Sequence, residues 1–289
     1  MKNTYQKTGY LKEEYKIFHL KGSLNQPVGY HYHDFHKIFI FLKGNADYLI
    51  EGREYTLQPN DIVFVGAGEI HKPVPQNDFP YERIIMYLSP ALFESISTYG
   101  CDLFSCFEKM LQNHSSILRL PENYMMRFLD ITHELAASSQ SAEFAASLLE
   151  RIKLMEALIL LNRFFQTDYT DHVTEIPSHP AIRATISYIT AHITENLSID
   201  QLAKSVYLDR SYLMHLFKSE TGYTIGKYIT EKRLFLARQY ISEGYSITDS
   251  CFKCGFNNYA SFYHAYKAKY GTSPKTASSG TLSVHMFLE

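Results

Sequence analysis

The segment that decides the fold is "LAKSVYLDRSYLMHLFKSETG", residues 202–222, because its pattern occurs a second time further along the chain. "LSIDQLAKSVYL" at 197–208 matches "YSITDSCFKCGF" at 245–256, at an offset of 48 residues. "YLMHLFKSETG" at 212–222 matches "SFYHAYKAKYG" at 261–271, at an offset of 49. Self-similarity at a fixed period indicates a duplicated structural unit. The one-residue difference between the offsets places the extra residue in a turn.

Each copy is predicted to form two short helices joined by a tight turn. Ser198 can cap the first helix of copy one, and Gln201 lies at the spacing of a capping box, in which each side chain satisfies the free backbone N–H of the other residue. Gly222 and Gly271 end the two copies and suit a left-handed helix stop. This layout is that of a helix-turn-helix.

The second helix of each copy carries a polar and basic outward face. The residues predicted to be buried are Leu213, Leu216 and Phe217 in copy one and Phe262, Ala265 and Tyr266 in copy two. The residues left outward are Arg210, Ser211, Met214, His215 and Lys218 in copy one and Asn258, Tyr259, Ala260, Tyr263, His264 and Lys267 in copy two. Such faces can enter a major groove, read base edges and contact phosphate. A plain helical bundle with solvated faces is the alternative.

The segment between the copies, "TIGKYITEKRLFLARQYISEG", is predicted to be one helix of roughly 19 residues, near 28 Å long. Successive major grooves on one side of B-DNA are about 34 Å apart. A rigid helix of this length could therefore hold the second helices of the two copies in major grooves one turn of the duplex apart. The distribution of charge along the chain also agrees with nucleic-acid binding by its C-terminal part. Residues 179–275 contain 12 lysines and arginines against 7 acids, whereas residues 1–170 contain 16 against 20.

These motifs resemble the AraC/XylS family of transcription regulators. The matching stretches are "LAKSVYLDRSYLMHLFKSETG", "GKYITEKRLFLARQYI" and "CGFNNYASFYHAYKAKYGTSP", within residues 180–276. The resemblance implies a DNA-binding domain with two helix-turn-helix units. The chain departs from the family pattern at Ser250, where a bulkier Ile is usual, and at Cys251 and Cys254, where Ala and Val are usual. The usual closing Tyr-Arg is replaced by Ala277 and Ser278. These departures predict a looser second unit.

Cysteine spacing also needs an interpretation. Cys251 and Cys254 have the separation found in zinc and thiol redox sites. No second pair follows, because Cys101 and Cys106 lie in the other half of the chain. Core packing is therefore predicted for Cys251 and Cys254.

The first part of the chain is predicted to be a small all-β unit. Its strands are "YKIFHL", "KIFIFLKG", "ADYLIEG", "REYTL", "DIVFV" and "RIIMYL", which are rich in aromatic and β-branched residues. "HYHDFHKIFIFLKG" at 31–44 and "PNDIVFVGAGEIHKPV" at 59–74 resemble the two cupin motifs. Similar regulators carry a cupin-like β-barrel at this position, and the resemblance implies that it binds a small-molecule inducer, often a sugar.

A metal-binding cupin would supply His31, His33, His71 and a glutamate near position 37, where this chain has Lys37. A cation at that position repels a divalent ion and removes a ligand, so no metal is predicted. His36 has the wrong strand parity to replace the glutamate. A ligand pocket is predicted instead. The alternative is that these side chains only fill the interior of the barrel. Its proposed residues are His31, His33, His71, Tyr81, Arg83 and Tyr87.

The region from residue 122 to residue 166 is predicted to be helical, with one apolar stripe. The stripe consists of Phe144, Leu148, Ile152, Met155, Ile159 and Phe165. The resemblance implies that helices behind the barrel form a dimer. Packing of the stripe onto its own barrel is an equal alternative.

The predicted architecture is α+β with two domains. A cupin-like sensing and dimerisation domain spans 1–170, with its barrel at about 10–90 and helices at about 91–166. A linker follows at 171–179, the double helix-turn-helix domain at 180–276 and a tail at 277–289. The chain has 289 residues, 45% apolar and 20% charged, with no uncharged run long enough to span a bilayer. Its polar start lacks the apolar core of a secretory signal, so a cytoplasmic protein is expected.

The sequence therefore predicts a ligand-responsive, sequence-specific DNA-binding regulator, an activator by resemblance, that is not an enzyme and needs no cofactor. The expected partners are promoter DNA, a small-molecule inducer, RNA polymerase and a second copy of the chain. The alternative is a metal-dependent cupin enzyme fused to a DNA-targeting module.

Overall fold

The computed structural model describes residues 11, 13–22, 28–76, 81–97, 100–112, 115–139, 141–167 and 179–278. The chain forms two compact units. The N-terminal unit comprises Met1–Ile50 and Glu54–Ile176, and the C-terminal unit comprises Glu51–Arg53 and Pro177–Glu289. Almost all of the predicted linker and tail lies outside the described residues. Within those residues, no helix is both long enough and apolar enough to cross a bilayer.

The N-terminal unit contains two antiparallel sheets. Its described strands are β1 (Tyr15–Leu20), β2 (His36–Lys43), β3 (Ala46–Ile50), β4 (Arg53–Thr56), β5 (Ile62–Val65), β6 (His71–Pro75), β7 (Glu82–Leu88) and β8 (Ile117–Leu118). The five-stranded sheet has the order β1-β7-β2-β5-β8, and the three-stranded sheet has the order β4-β3-β6. The six predicted strands are confirmed, whereas β6 and β8 were not predicted.

The five-stranded sheet has two buried faces, as its nearly continuous apolar strands require. Ile38 and Ile40 of β2 pack with residues from the helices that follow the sheet. Phe39 and Phe41 point the other way and pack with Tyr48 of β3. The unit therefore has three layers: helices, the larger sheet and the smaller sheet. In the described part of the chain the strands pair as two separate sheets and not as the closed barrel that the sequence predicted.

The helical layer packs on one face of the larger sheet. Its helices are α1 (Pro90–Ile96), α2 (Ser105–Gln112), α3 (Glu122–Ser138) and α4 (Ala146–Phe164). The side chain of Ser89 caps α1 by accepting from the backbone N–H of Leu92. Helices α3 and α4 account for the predicted helical region, and the buried face of α4 includes Leu154, Leu158 and Leu161.

The predicted stripe on α4 is only partly correct. Phe144 precedes the helix and is fully exposed, and Leu148 and Ile152 are also exposed. Met155 and Ile159 are half-buried against the core. Packing onto the chain's own sheet therefore accounts for the later part of the stripe but not for its beginning.

The C-terminal unit is helical throughout its described part. Its helices are α5 (Pro180–Ala191), α6 (Ile199–Ser205), α7 (Arg210–Thr221), α8 (Ile225–Ser242), α9 (Ile247–Lys253), α10 (Tyr259–Tyr270) and α11 (Pro274–Ser278). The predicted duplication is confirmed, with α6 and α7 corresponding to α9 and α10. Both bonds of the Ser198–Gln201 capping box form. Gly222 and Gly271 end α7 and α10 with φ angles of 73° and 71°, in the left-handed region that favours glycine.

Helix α8 connects the two helix-turn-helix units, as predicted. Its 18 residues correspond to about 27 Å. The ring of Tyr228 on α8 packs edge-on against Phe217 of α7, with centroids 5.4 Å apart. Further along α8, Leu234 packs in a cluster with Phe262 and Tyr266 of α10. Both second helices are thus anchored to one rigid element.

The turn between α9 and α10 lies against the segment that follows α5. Arg233 of α8 donates from Nε to the carbonyl of Ile193 at 2.8 Å and from Nη2 to the carbonyl of Glu195 at 2.5 Å. Gly255 in this turn has φ +94°, and a Cβ placed there would lie 2.8 Å from the carbonyl oxygen of Ile193 and 2.9 Å from Nε of Arg233. Only glycine suits both its backbone angle and its surroundings.

Small residues fill the interior of the second helix-turn-helix. Ser250, Cys251 and Cys254 are completely buried. Both cysteines are free, and burial raises the pKa of Cys254 to about 12, so its thiol stays protonated. Core packing of this pair is confirmed. The Ser250 hydroxyl has no hydrogen-bond partner within the described residues, which is unfavourable in a buried position. The looser second unit stays a prediction.

Candidate functional sites

Three histidines converge in the N-terminal unit beside the smaller sheet. His31 pairs with His71 of β6 through two backbone hydrogen bonds, and their rings lie 4.3 Å apart between centroids. The ring of His33 lies 4.9 Å from that of His31 and 5.0 Å from that of His71. All three side chains are buried. One nitrogen from each lies within 4.8 Å of the others, which is close enough to share one ligand.

The backbone fixes the tautomers of two of these histidines. Nδ1 of His31 donates to the carbonyl of Gly29 at 2.8 Å, and Nδ1 of His71 donates to the carbonyl of Glu69 at 3.0 Å. A carbonyl oxygen can only accept, so Nδ1 carries the proton in both rings and Nε2 keeps its lone pair. Burial lowers the pKa of His31 to about 4 and that of His71 well below 6.5, so both are neutral acceptors near pH 7.

A buried lysine lies next to the histidines. Lys37 on β2 is 5% exposed, and its Nζ donates to the hydroxyl of Tyr48 on β3 at 2.8 Å. Burial, reinforced by the charge of Arg83, lowers the pKa of Lys37 to about 7. Its charge in turn helps to lower the pKa of His31 and His71. From the sequence, Lys37 was considered only as a replacement for a metal ligand, whereas in the structure its side chain is part of the site.

The predicted pocket includes Arg83 and Tyr87 of β7 and Tyr81, which comes just before that strand. All three lie on the same side of the larger sheet as Lys37. The Arg83 guanidinium stacks over the Tyr81 ring at 4.3 Å and donates to the Tyr81 carbonyl at 2.9 Å. Tyr87 pairs with Lys37 across the β2–β7 ladder, and its ring lies 5.7 Å from that of His33. Burial raises the pKa of Tyr81 and Tyr87, so both keep their hydroxyl protons. The structure thus gathers all six predicted pocket residues on one side of the sheet.

The histidine cluster could chemically hold a metal ion. The neutral imidazoles of His31 and His71 are suitable ligands, and both have the Nδ1–carbonyl bonds typical of metal-binding histidines. The charge of Lys37 opposes a cation at the same place. His36 is on the other strand face, as predicted, in a cage formed by the rings of Phe93, Phe104 and Phe107. It is not part of the cluster.

The second candidate site is the outward face of α7. All five predicted residues are exposed, whereas Leu213 and Phe217 are buried and Leu216 is half-buried. The N-cap of α7 is Asp209, which accepts from two backbone N–H groups. Arg210 forms an exposed ion pair with Asp200 of α6 at 3.1 Å, an arrangement that contributes little stability but orients the guanidinium.

The outward face of α10 is the third candidate site. Five of the six predicted residues are exposed, and Tyr263 is half-buried. The side chain of Asn258 caps α10 by accepting from the backbone N–H of Ser261 at 2.8 Å. Asn258 therefore has a structural role that the sequence interpretation missed, although its position after a turn and before a helix is typical of an N-cap. Phe262 and Tyr266 are buried, as predicted, and Ala265 is half-buried.

Comparison with known proteins agrees with this division of the chain. Residues 18–158 match the family model described as an AraC-like ligand binding domain, and residues 202–279 match a helix-turn-helix domain. The two folds and sites thus define a class of protein, the helix-turn-helix regulators with an attached ligand-binding domain.

Similar full-length proteins include the HTH-type transcriptional activators RhaS of Enterobacter sp. (strain 638) and of Klebsiella pneumoniae (strain 342). They are 22% and 21% identical to this chain, over 86% of it and 87% of each relative. Among solved structures, ToxT from Vibrio cholerae is 12% identical over 92% of this chain and 98% of its own, with a TM-score of 0.36. The C-terminal domain of AraT, a response regulator from Geobacillus stearothermophilus, is 22% identical over 38% of this chain and 92% of its own, with a TM-score of 0.35. The chain belongs to the AraC/XylS family of transcription regulators.

Proposed function

We propose that this chain is a transcription regulator that reads promoter DNA with α7 and α10 and responds to a small molecule bound beside Lys37 and the histidine cluster. The observation that carries the proposal is the pair of exposed polar and basic helix faces anchored to the single helix α8. In this mechanism, effector binding favours the state of the protein that is competent to bind DNA.

Activation is the sign of regulation that the relatives favour, because both RhaS proteins are named transcriptional activators. An activator has to contact RNA polymerase at the promoter, which makes the polymerase a proposed partner and the cytoplasm the proposed location. A sugar remains one effector class that the family resemblance implies. The competing function, a metal-dependent enzyme, requires stoichiometric iron, zinc or manganese in the purified protein, which elemental analysis measures directly.

Replacing Lys218 or Lys267 with alanine is expected to weaken binding to every duplex to a similar degree. Both side chains are exposed on the outward faces and suit phosphate contacts, which carry no sequence information. Each substitution should reduce the slope of log affinity against log salt by about one unit. The measurement is fluorescence anisotropy at several salt concentrations, on a duplex selected from a random pool by the wild-type protein and on an unrelated duplex. Lys109→Ala, an exposed lysine on α2, is the matched control.

Substitutions at His215 or Arg210 should behave differently, because we propose that these exposed side chains contact base edges. They are expected to change the sequence selected from the pool. If all four variants bind like the wild type, the outward faces are not the DNA-binding surface.

We also propose that the chain forms a homodimer through α3 and α4. A groove of about 400 Å³ there is lined by residues that include Arg127, Ile152, Met155 and Ile159. Its apolar edge continues into the exposed Leu148 and Leu149 at the start of α4. A contiguous apolar surface of this kind is typical of a protein interface.

Ile152→Glu is expected to raise the dimer dissociation constant at least tenfold, because it places a charge in an apolar contact. Sedimentation velocity over a concentration series measures the constant. Leu111→Glu on α2, also at an exposed apolar residue, should leave it unchanged. Equal association of wild type and Ile152→Glu would place the interface elsewhere.

A further inference from the structure

Lys37 brings an amine into the interior of the N-terminal unit, and it is only partly charged near pH 7 because burial lowers its pKa to about 7. Its side chain contacts the Tyr48 hydroxyl and lies over the rings of Phe39 and Tyr48, at 5.6 and 5.5 Å from their centroids. A buried ammonium is costly unless an anion offsets it. The hydroxyl of Tyr48 supplies a hydrogen bond but no charge.

Within the described residues, the charged groups that act on Lys37, His31 and His71 are all basic. Three acidic residues of neighbouring segments have partners of their own, and one of them is Glu69, which accepts from the backbone N–H of Gly66 at 2.6 Å. Asp61 accepts a two-point ion pair from Arg119, and Glu82 pairs with His19 and Lys21 on the opposite face of β7. The site thus combines a buried lysine with the nearby Arg83 guanidinium, and its electrostatic complement is an anion.

The histidines add a second requirement. Nε2 of His71 is completely buried and has no hydrogen-bond partner in the part of the chain that the structure describes. The bond from Nδ1 to the Glu69 carbonyl leaves Nε2 as an acceptor, and the same holds for His31 with Gly29. A carboxylate cannot satisfy these two nitrogens, since it too is an acceptor. Nε2 of His71 therefore requires a donor such as a hydroxyl group, and Nε2 of His31 is able to accept from a second one.

We propose that the effector of this chain is a hydroxylated carboxylate, of the sugar-acid type, whose carboxylate binds Lys37 and whose hydroxyl groups donate to Nε2 of His31 and His71. The inference rests on the proposed function, because it names the effector class for the same site. It differs from a neutral sugar by requiring the negative charge. A divalent metal ion would also satisfy the histidine nitrogens, but it would be repelled by the Lys37 ammonium.

The first test needs no ligand. If Lys37 is kept for an anion, then at pH 6, below its pKa of about 7, Lys37→Met should raise the melting temperature of the ligand-free protein by about 2–4 °C. The uncompensated buried charge that it removes outweighs the hydrogen bond to Tyr48 that it loses. Lys43→Met, at the exposed end of the same strand, should change nothing. A lower melting temperature for Lys37→Met would make the lysine a structural partner of Tyr48 and overturn the proposal.

The second test is a thermal-shift series on the full chain with matched pairs of probes. D-gluconate is compared with D-glucitol, D-glucuronate with D-glucose, and D-galacturonate with D-galactose, so that each pair differs mainly in the carboxylate. At least one acid is expected to raise the melting temperature by several degrees at millimolar concentration while its neutral partner does not. Lys37→Met should abolish this shift, and Lys43→Met should retain it.

Other outcomes count against the inference. If a neutral probe stabilises the protein and His71→Ala loses this stabilisation, the effector site is as proposed but the effector need not be an anion. Stabilisation by zinc chloride or cobalt chloride alone, lost in the same variant, would make the cluster a metal centre. Failure of every acid in the series would overturn the assignment of the effector class.

Discussion

Gly255→Ala is expected to unfold the second helix-turn-helix locally and to abolish binding to the selected duplex. The added methyl would lie 2.8 Å from a backbone oxygen and 2.9 Å from Arg233, and the residue would have to hold φ +94°. A left-handed angle costs about 1–2 kcal/mol for a residue with a Cβ, and overpacking adds about 1–3 kcal/mol. The total is a large fraction of the stability of a small helical unit. Circular dichroism during urea unfolding, combined with anisotropy on the duplex, measures both effects.

Gly244→Ala separates the cost of the left-handed backbone angle from the cost of overpacking. Gly244 has φ +90°, but a Cβ there has no neighbouring atom within 4 Å. This variant should lose only the backbone component and should still bind DNA. If Gly244→Ala and Gly255→Ala lose equal stability, the close approach to Ile193 has no energetic importance.

Mild acid is expected to unfold the N-terminal unit cooperatively between pH 6.5 and about 4. Burial lowers the pKa of His36 to about 4, and burial with the charge of Lys37 does the same to His31. A histidine whose pKa is lower in the folded state contributes full stability above its unfolded pKa of about 6.5, and that stability is lost as the pH falls toward 4. Each such histidine removes about 3 kcal/mol by pH 4, so the two together approach the whole stability of a domain.

His36→Phe provides the test of this acid transition. Phenylalanine suits the cage of three aromatic rings but loses the hydrogen bond from the Ala67 backbone N–H. The variant should therefore be slightly less stable than wild type at pH 8 and more stable at pH 4.5, as measured by urea unfolding monitored by tyrosine fluorescence. The same order of stability at both pH values would show that His36 does not drive the transition.

The helical half of the fold was predictable because its signals are local. The capping box at Ser198 and the glycine stops at Gly222 and Gly271 depend only on neighbouring residues, and a duplicated pattern gives each signal twice. The β half was predicted strand by strand, except for β6 and the two-residue β8. The prolines of β6 at 73 and 75 argue against a central strand, and β6 is in fact at the edge of the smaller sheet, where proline is tolerated.

The other differences between the predicted and the observed fold come from contacts between residues that are far apart in the sequence. Whether a set of strands closes into a barrel depends on contacts between residues far apart in sequence, which the alternation of side chains does not specify. Helix α4 is apolar around much of its circumference, so periodicity alone cannot select the buried stripe containing Leu154 over the exposed one containing Ile152. The importance of Lys37 likewise depends on its contact with Tyr48 in the other sheet.

The double hydrogen bond from Arg233 to the segment after α5 has a consequence for the arrangement of the operator. This bond and the close packing at Gly255 connect the turn of the second helix-turn-helix to the segment that precedes the first, so we expect the two second helices to keep a fixed relative orientation. Five base pairs inserted between the two contacted sites turn one of them to the opposite side of the duplex, since a full turn takes about 10 base pairs. If α7 and α10 are the DNA-binding helices, a flexible pair would follow such a change of phase, whereas a pair of fixed orientation is expected to lose one of its two contacts with the duplex.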